Sequence, residues 1–221
     1  MPTSDETAWA DDTYEAPEVP EETGESSAGE SMSDLHGAED PREFRLEYPD
    51  EYLEPMSRSR AIEKFQDPRV GVERINPEYD PHSAEDPYST NCADCARCYE
   101  ASWRGHEQEA AGVAHCEGEL SERTEEWAHE DFAPTDAANL RTSLEQAGHG
   151  SSAIVHTEFE GPAEGGHAYN VVNFRGEILT VDSQNGEVHQ FSDKEIHPDL
   201  DDTWRTKHEA MGWDASGRRI L

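Results

Sequence analysis

Asn91-Cys92-Ala93-Asp94-Cys95-Ala96-Arg97-Cys98-Tyr99-Glu100-Ala101-Ser102-Trp103-Arg104-Gly105 is the stretch that decides the fold. Asn91 is a helix-capping residue type and Gly105 a helix stop, which together predict a helix over 92–104. On that helix Cys92, Cys95, Ala96, Tyr99 and Trp103 share one apolar stripe, so the face carrying Cys92 is expected to be buried. Cys98 falls off the stripe. A cysteine attacks as the thiolate, and the free N–H groups and dipole of a helix start favour that anion. Cys92 stands at the tip and is the candidate nucleophile. Cys95 lies one turn deeper, where both advantages fade; it is read as a core residue and as the alternative nucleophile.

Beyond the helix the hydrophobic period changes. Asp136–Ala147 reads as a second helix, capped near Thr135 and stopped by Gly148, with short helices expected near Ser121–Trp127 and Ser59–Gln66. Residues 152–159, 167–174, 177–182 and 188–191 then read as strands, with turns at Arg175-Gly176 and Asn185-Gly186. Helices followed by an antiparallel meander make an α+β fold, with the nucleophile-bearing helix packed on a small sheet. Folding 167–174 back on 177–182 brings position 169 opposite 182, so His167 and Asp182 stand at the same end of adjacent strands. An aspartate there fixes the imidazole tautomer and leaves the second ring nitrogen for a thiol. Cys92, His167 and Asp182 thus form a candidate nucleophile triad, and the free backbone N–H groups at the helix start can hold an oxyanion. A zinc site built from Cys92, Cys95 and Cys98 with Cys116, His106 or His115 is the rival. Position i+6 is turned well away from i on a helix, and no second Cys-x-x-Cys exists. His129, His149, His156, His189, His197 and His208 are expected at the surface.

Composition narrows the remaining classes. The 221 residues carry a net charge of -34, and only 33% are hydrophobic. A core for about 120–150 residues is reasonable at that composition. Acid is spread through the chain, with 18 acidic and 4 basic residues in 1–60, and 33 and 13 in 61–221. A nucleic-acid partner is excluded, because phosphate binding needs clustered Lys and Arg. No apolar run reaches membrane-spanning length and the N-terminus lacks a signal-peptide pattern. The expectation is a soluble protein, cytoplasmic in the producing cell or exported by a specialised route. Three Lys among 17 basic residues, with acid on the folded part, suits a high-salt cytoplasm as well as an ordinary acidic protein. Residues 1–41 hold thirteen acids and no base, a composition expected to be disordered. The organisation expected is an acidic, mostly disordered region at 1–70, a catalytic domain at 71–195 and a C-terminal extension at 196–221.

Four motifs occur in order along this chain: Ile75-Asn76-Pro77; Asn91-Cys92-Ala93-Asp94-Cys95 with Arg104-Gly105; Gly166-His167-Ala168-Tyr169-Asn170-Val171-Val172; and Val181-Asp182-Ser183-Gln184-Asn185-Gly186. Together they resemble the papain-fold toxin domain with glutamine deamidase activity found in bacterial polymorphic toxins and related effectors. The resemblance covers about residues 72–192. It implies a papain-like fold in which Cys92 attacks a glutamine carboxamide of a target protein, with the Cys92 backbone N–H, Asn91 or Gln184 donating to the oxyanion and no metal or organic cofactor needed. His167, held by Asp182, would serve the leaving ammonia and then the hydrolytic water. It also implies, as partners, a protein bearing the glutamine and an immunity protein. A cysteine peptidase or transglutaminase on the same triad, and a non-catalytic acidic binding module, remain the other readings.

Overall fold

The computed structural model describes residues 61, 63–83, 86–113, 118–160, 165–192, 196–197 and 205–221. The expected disordered tail at 1–41, and most of the 1–70 region, lie outside these residues. So do Cys116 and His115 of the rival zinc set. Ala61, Glu63 and Lys64 are helical, which is the described part of the helix expected at 59–66.

Besides that helical segment, the described residues form two 3-10 helices (Val72–Arg74 and Pro87–Ser89), three α-helices and one six-stranded sheet: α1 (Cys92–Trp103), α2 (Ser121–Ala128), β1 (Ala133–Thr135), α3 (Ala137–Ala147), β2 (Ser152–Glu160), β3 (Gly165–Phe174), β4 (Glu177–Asp182), β5 (Glu187–Gln190) and β6 (Arg205–Trp213). Strand order is β1-β6-β2-β3-β4-β5, every pairing antiparallel. The α+β class and the four expected strands are found. Asp136 caps α3 rather than Thr135, its carboxylate accepting from Asn139 N at 2.8 Å. The β3–β4 turn places both Arg175 (φ 58°) and Gly176 (φ 93°) in the left-handed region, the twist a two-residue hairpin needs.

The sheet is covered on both faces. Cys95, Tyr99 and Trp103 of α1 pack with Val172, Leu179 and Val181; Ala93 and Ala96 pack with Trp127, Ile154 and Met211. On the other face Leu140 and Leu144 of α3 meet Ala153, Val155, Val171, Ile178 and Ala210. Both alternating sets of side chains are therefore buried, which is why β2 and β3 carry continuous runs such as Ile154-Val155 and Val171-Val172.

Two features differ from the sequence reading. The segment 196–221, expected as an extension, supplies β6, which lies between β1 and β2 with Ala210 and Met211 fully buried. And α1 is buried all round, not on one stripe. Cys98 has no exposed surface and packs with Cys95, Tyr99 and Trp103; its Sγ lies 3.5 Å from Glu109 O and 3.8 Å from Asp94 Oδ2, either of which can accept its one hydrogen. The polar face is closed by ion pairs. Arg97 joins Asp94 at 2.9 Å and Glu119 at 2.6 Å, while Arg104 joins Glu100 at 2.6 Å and donates to Ser152 Oγ and Asp214 O. Buried charges persist when paired and hydrogen-bonded in this way.

Candidate active site

The site is built where the first turn of α1 meets the ends of β3 and β4. Asn170 of β3 donates through Nδ2 to Ala96 O at 3.1 Å, pinning the strand against the helix two residues beyond Ala168. Asn76 does the same work from the other side: its Nδ2 donates to Tyr88 O and Gln184 O, and reaches Asn91 Oδ1 at 3.3 Å. One buried amide thus ties the segment before α1, the residue preceding Cys92 and the turn after β4. In the sequence Asn76 stands only as a member of the Ile75-Asn76-Pro77 motif, with no role assigned to its side chain. The clue was an asparagine just before proline, where no helix can use it.

Asn91 precedes α1 but makes no side-chain cap. Both hydrogens of its Nδ2 go elsewhere, to Asn76 Oδ1 at 3.1 Å and Ala111 O at 3.0 Å. Its side chain is a strut beneath Cys92, with no hydrogen left for an oxyanion. Gln184 reaches Asn91 Oδ1 at 3.5 Å with its Nε2 and lines the cavity beside Cys92.

His167 and Asp182 meet as the hairpin register requires. Asn170 pairs with Val181, so 182 falls beside 169 and its side chain reaches His167 at the same end. His167 Nε2 donates to Asp182 Oδ2 at 2.8 Å, while Asp182 Oδ1 accepts from Gln184 N at 3.1 Å. The carboxylate is nearly buried, at 3% exposure. Burial pushes the Asp182 carboxyl up, but hydrogen bonds and attraction from His167 and then His197 outweigh it and hold it well below the usual carboxylate range. Burial opposes the His167 charge as well; Asp182, and behind it Cys92, overcome this and raise the imidazole to about 10. The two groups therefore stand as a charged pair at neutral pH.

The thiols of α1 diverge. For Cys92, which is partly exposed, burial works against the thiolate, yet the hydrogen bond and charge of His167 and a backbone hydrogen bond from Ala168 bring its pKa below the ordinary value. Because Nε2 is committed to Asp182, the ring nitrogen left for Cys92 is Nδ1. Cys95 is fully buried, and that burial, reinforced by Asp94 and the neighbouring thiols, pushes it well above the ordinary value.

His197 was expected at the surface and is buried instead, at 3% exposure. Its Nε2 lies 3.2 Å from Asp182 Oδ2, the oxygen that His167 also uses. It stands edge-on to Tyr169, with ring centroids 4.7 Å apart. No local pattern marks it, since it lies in no helix or strand. His149, His156 and His208 also leave the expected set: each is half-buried, and burial keeps each below the usual histidine range.

A cavity of about 550 Å³ opens over Cys92, lined among others by Ser89, Phe132, His156, Gly166, His167 and Gln184. Gly166 is required there. A side chain would meet His156 Nε2 at 2.7 Å and Thr157 O at 2.9 Å. The donor atoms of His167, Asp182 and His197 lie within 4.8 Å of one another. Both imidazole nitrogens carry the hydrogens that bind Asp182, so the cluster is satisfied as a hydrogen-bonded group. Among the described residues no cysteine joins a set of metal-ligand spacing. No described helix is long and apolar enough to cross a membrane.

Residues 90–187 match the family described as papain fold toxin 1, glutamine deamidase. Among solved structures, the G161 variant of the Salmonella effector SpvD is similar at 14% identity, covering 71% of this chain and 80% of that chain with a TM-score of 0.43. No curated protein matches.

Proposed function

We propose that the papain fold toxin, glutamine deamidase, domain at residues 90–187 is an active cysteine hydrolase that converts a glutamine side chain of a target protein to glutamate. The observation that carries this reading is the 2.8 Å bond from His167 to Asp182 behind a thiol that the same imidazole makes acidic. Cys92 thiolate attacks the carboxamide carbon. The C–N bond breaks as His167 gives its proton to the departing ammonia, leaving a thioester. Water, losing a proton to His167, then adds to the thioester carbonyl, and the thiolate leaves as the glutamate carboxylate forms.

The oxyanion falls to the Cys92 backbone N–H at the start of α1. Gln184 is the side-chain donor beside it, because its amide spends one hydrogen on Asn91 and keeps the other. Asn91 and Asn76 support by position. The catalytic unit extends past residue 195 to include β6. A target protein presenting the glutamine is the partner this chemistry requires, and a protein that covers the cavity over Cys92 would be its inhibitor.

The test is mass spectrometry of host-extract proteins incubated with the wild type and with Cys92→Ala. Amide-to-acid conversion at glutamine, in the wild-type sample only, supports deamidation. Chain cleavage would assign a peptidase, and amine incorporation a transglutaminase. Identical results from both proteins and buffer would sink the enzymatic reading in favour of a binding module.

A further inference from the structure

Asp182 Oδ2 serves two imidazoles at once. His167 donates to it at 2.8 Å and His197 at 3.2 Å, and both contacts are shielded from water. A carboxylate oxygen only accepts, so each Nε2 facing it carries a hydrogen. His197 is held in place by more than this bond. The carbonyl of its neighbour Ile196 accepts from Thr180 Oγ1 at 2.8 Å, and its ring stands edge-on to those of Tyr169 and His167. A phenylalanine would fill the same space, yet a donor is buried there.

We propose that His197 is a positioning residue for the reaction assigned above: by sharing Asp182 Oδ2, it limits how firmly Asp182 holds the proton of His167. The need for such a device follows from the chemistry. His167 must be charged to sustain the Cys92 thiolate, but must also surrender its proton to ammonia. An imidazole raised to about 10 is already a reluctant acid. A second donor on the carboxylate draws off part of its negative charge and keeps the imidazolium from becoming more reluctant still.

Among the described residues, the titratable groups facing this centre come from several elements. Asp182 is faced by Cys92 of α1, His167 and Tyr169 of β3, His197, and Tyr79 from the segment before α1. Cys95 lies behind Cys92, His156 of β2 acts on His167, and His189 of β5 stands beside His197 near Glu187. Among the described residues, His197 is the side chain that joins His167 in donating to Asp182 Oδ2.

The experiment follows alkylation of Cys92 by iodoacetamide across pH, read at the Cys92 peptide, with thermal melting alongside. It needs no glutamine substrate, so failure of the deamidase reading leaves it intact. In the wild type the rate rises once as the thiolate–imidazolium pair forms and again as His167 loses its proton. In His197→Phe the second rise moves up by roughly one pH unit. In His197→Gln, whose amide can still donate, it stays near the wild-type position. Should His197→Phe fail to fold, His197→Asn, polar but too short for Oδ2, takes its place with the same upward shift expected. A second rise that stays put while the melting temperature falls would make His197 a structural filler. A downward move would show that it merely anchors Asp182. Either overturns the proposal.

Discussion

The first turn of α1 and the interior of the same helix hold cysteines three residues apart with opposite chemistry. Cys92 is drawn below the ordinary thiol pKa, and Cys95 is pushed well above it. Both suffer desolvation. What separates them is a partner: His167 faces Cys92, whereas Cys95 sees Asp94 and other thiols. A helix start alone does not lower the thiol pKa; the β3–β4 hairpin delivers the cation that does. The two regions also rest on different parts of the chain. The tip depends on Asn76, Asn170 and the turn at Gln184, all within residues 76–184. The interior leans on the C-terminal segment, where Arg104 donates to Asp214 O and stands 6.0 Å from the Trp213 ring.

That division predicts the largest effect. Ending the chain at residue 195 removes β6 from between β1 and β2 and takes from buried Arg104 the Asp214 carbonyl and the Trp213 ring, leaving it Glu100 and Ser152. A two-sided core that loses an inner strand has no means of recovering the buried area. The truncated protein should show no cooperative melting transition by circular dichroism. A sharp transition near that of the full chain would break the link drawn between helix interior and C-terminal strand.

Removing the sulfur proposed as nucleophile is next in size. Cys92→Ala should lower kcat/KM by about a thousandfold or more, since no neighbouring group can form the covalent intermediate. Its melting temperature should stay within a few degrees, because Cys92 is partly exposed at the tip. Loss of folding with this variant would mean that the tip, too, is structural.

Much of this contrast was legible before the structure. The 3.6 period and the Gly105 stop gave α1; the alternating runs and the Arg175-Gly176 turn gave the hairpin, and with it the meeting of His167 and Asp182. These are local signals. The features that were not legible are all made by distant partners. The charged residues of α1 look like a solvent face until Glu119, Ser152 and Asp214 arrive from elsewhere in the chain. β6 carries Lys207, His208 and Glu209 in its first half, which hides an inner strand, and β1 is only three residues long with Pro134 at its centre. A proline belongs at such an edge, so its presence argues against a strand when read alone. His197 has no periodic context whatever; only the fold brings it to Asp182.

The tip can be probed more finely through its charge. Asp182 is depressed and His167 raised, so their pairing stabilises the protein only while both are charged. Asp182's share is present above its unfolded pKa near 3.9 and is lost as pH falls. His167's share is complete below its unfolded value of about 6.5 and is lost as pH climbs through its folded value, which is about 10. Asp182→Asn should therefore melt below the wild type by the widest margin between roughly pH 4 and 6.5, with the gap narrowing toward alkaline pH. The same variant should slow Cys92 alkylation at neutral pH, because a weaker imidazolium holds less thiolate. A melting gap that does not vary with pH would deny the charged pair.

The smallest expected effect falls on the interior thiol, and it tests the comparison most directly. Cys95 is enclosed by Tyr99, Val172 and Val181, so Cys95→Ala leaves a small void and should cost about 1 kcal/mol in chemical denaturation. It touches neither Asp182 nor the imidazole through any bond, and the pH profile of Cys92 alkylation should be unchanged. The choice of sulfur rests on this asymmetry. If deamidation survived Cys92→Ala and vanished with Cys95→Ala in a folded protein, the buried thiol would be the nucleophile. The cation supplied by His167 would then have to reach it through a rearrangement of α1, because in the present arrangement Cys95 has carboxylate and thiol neighbours where a thiolate needs positive charge.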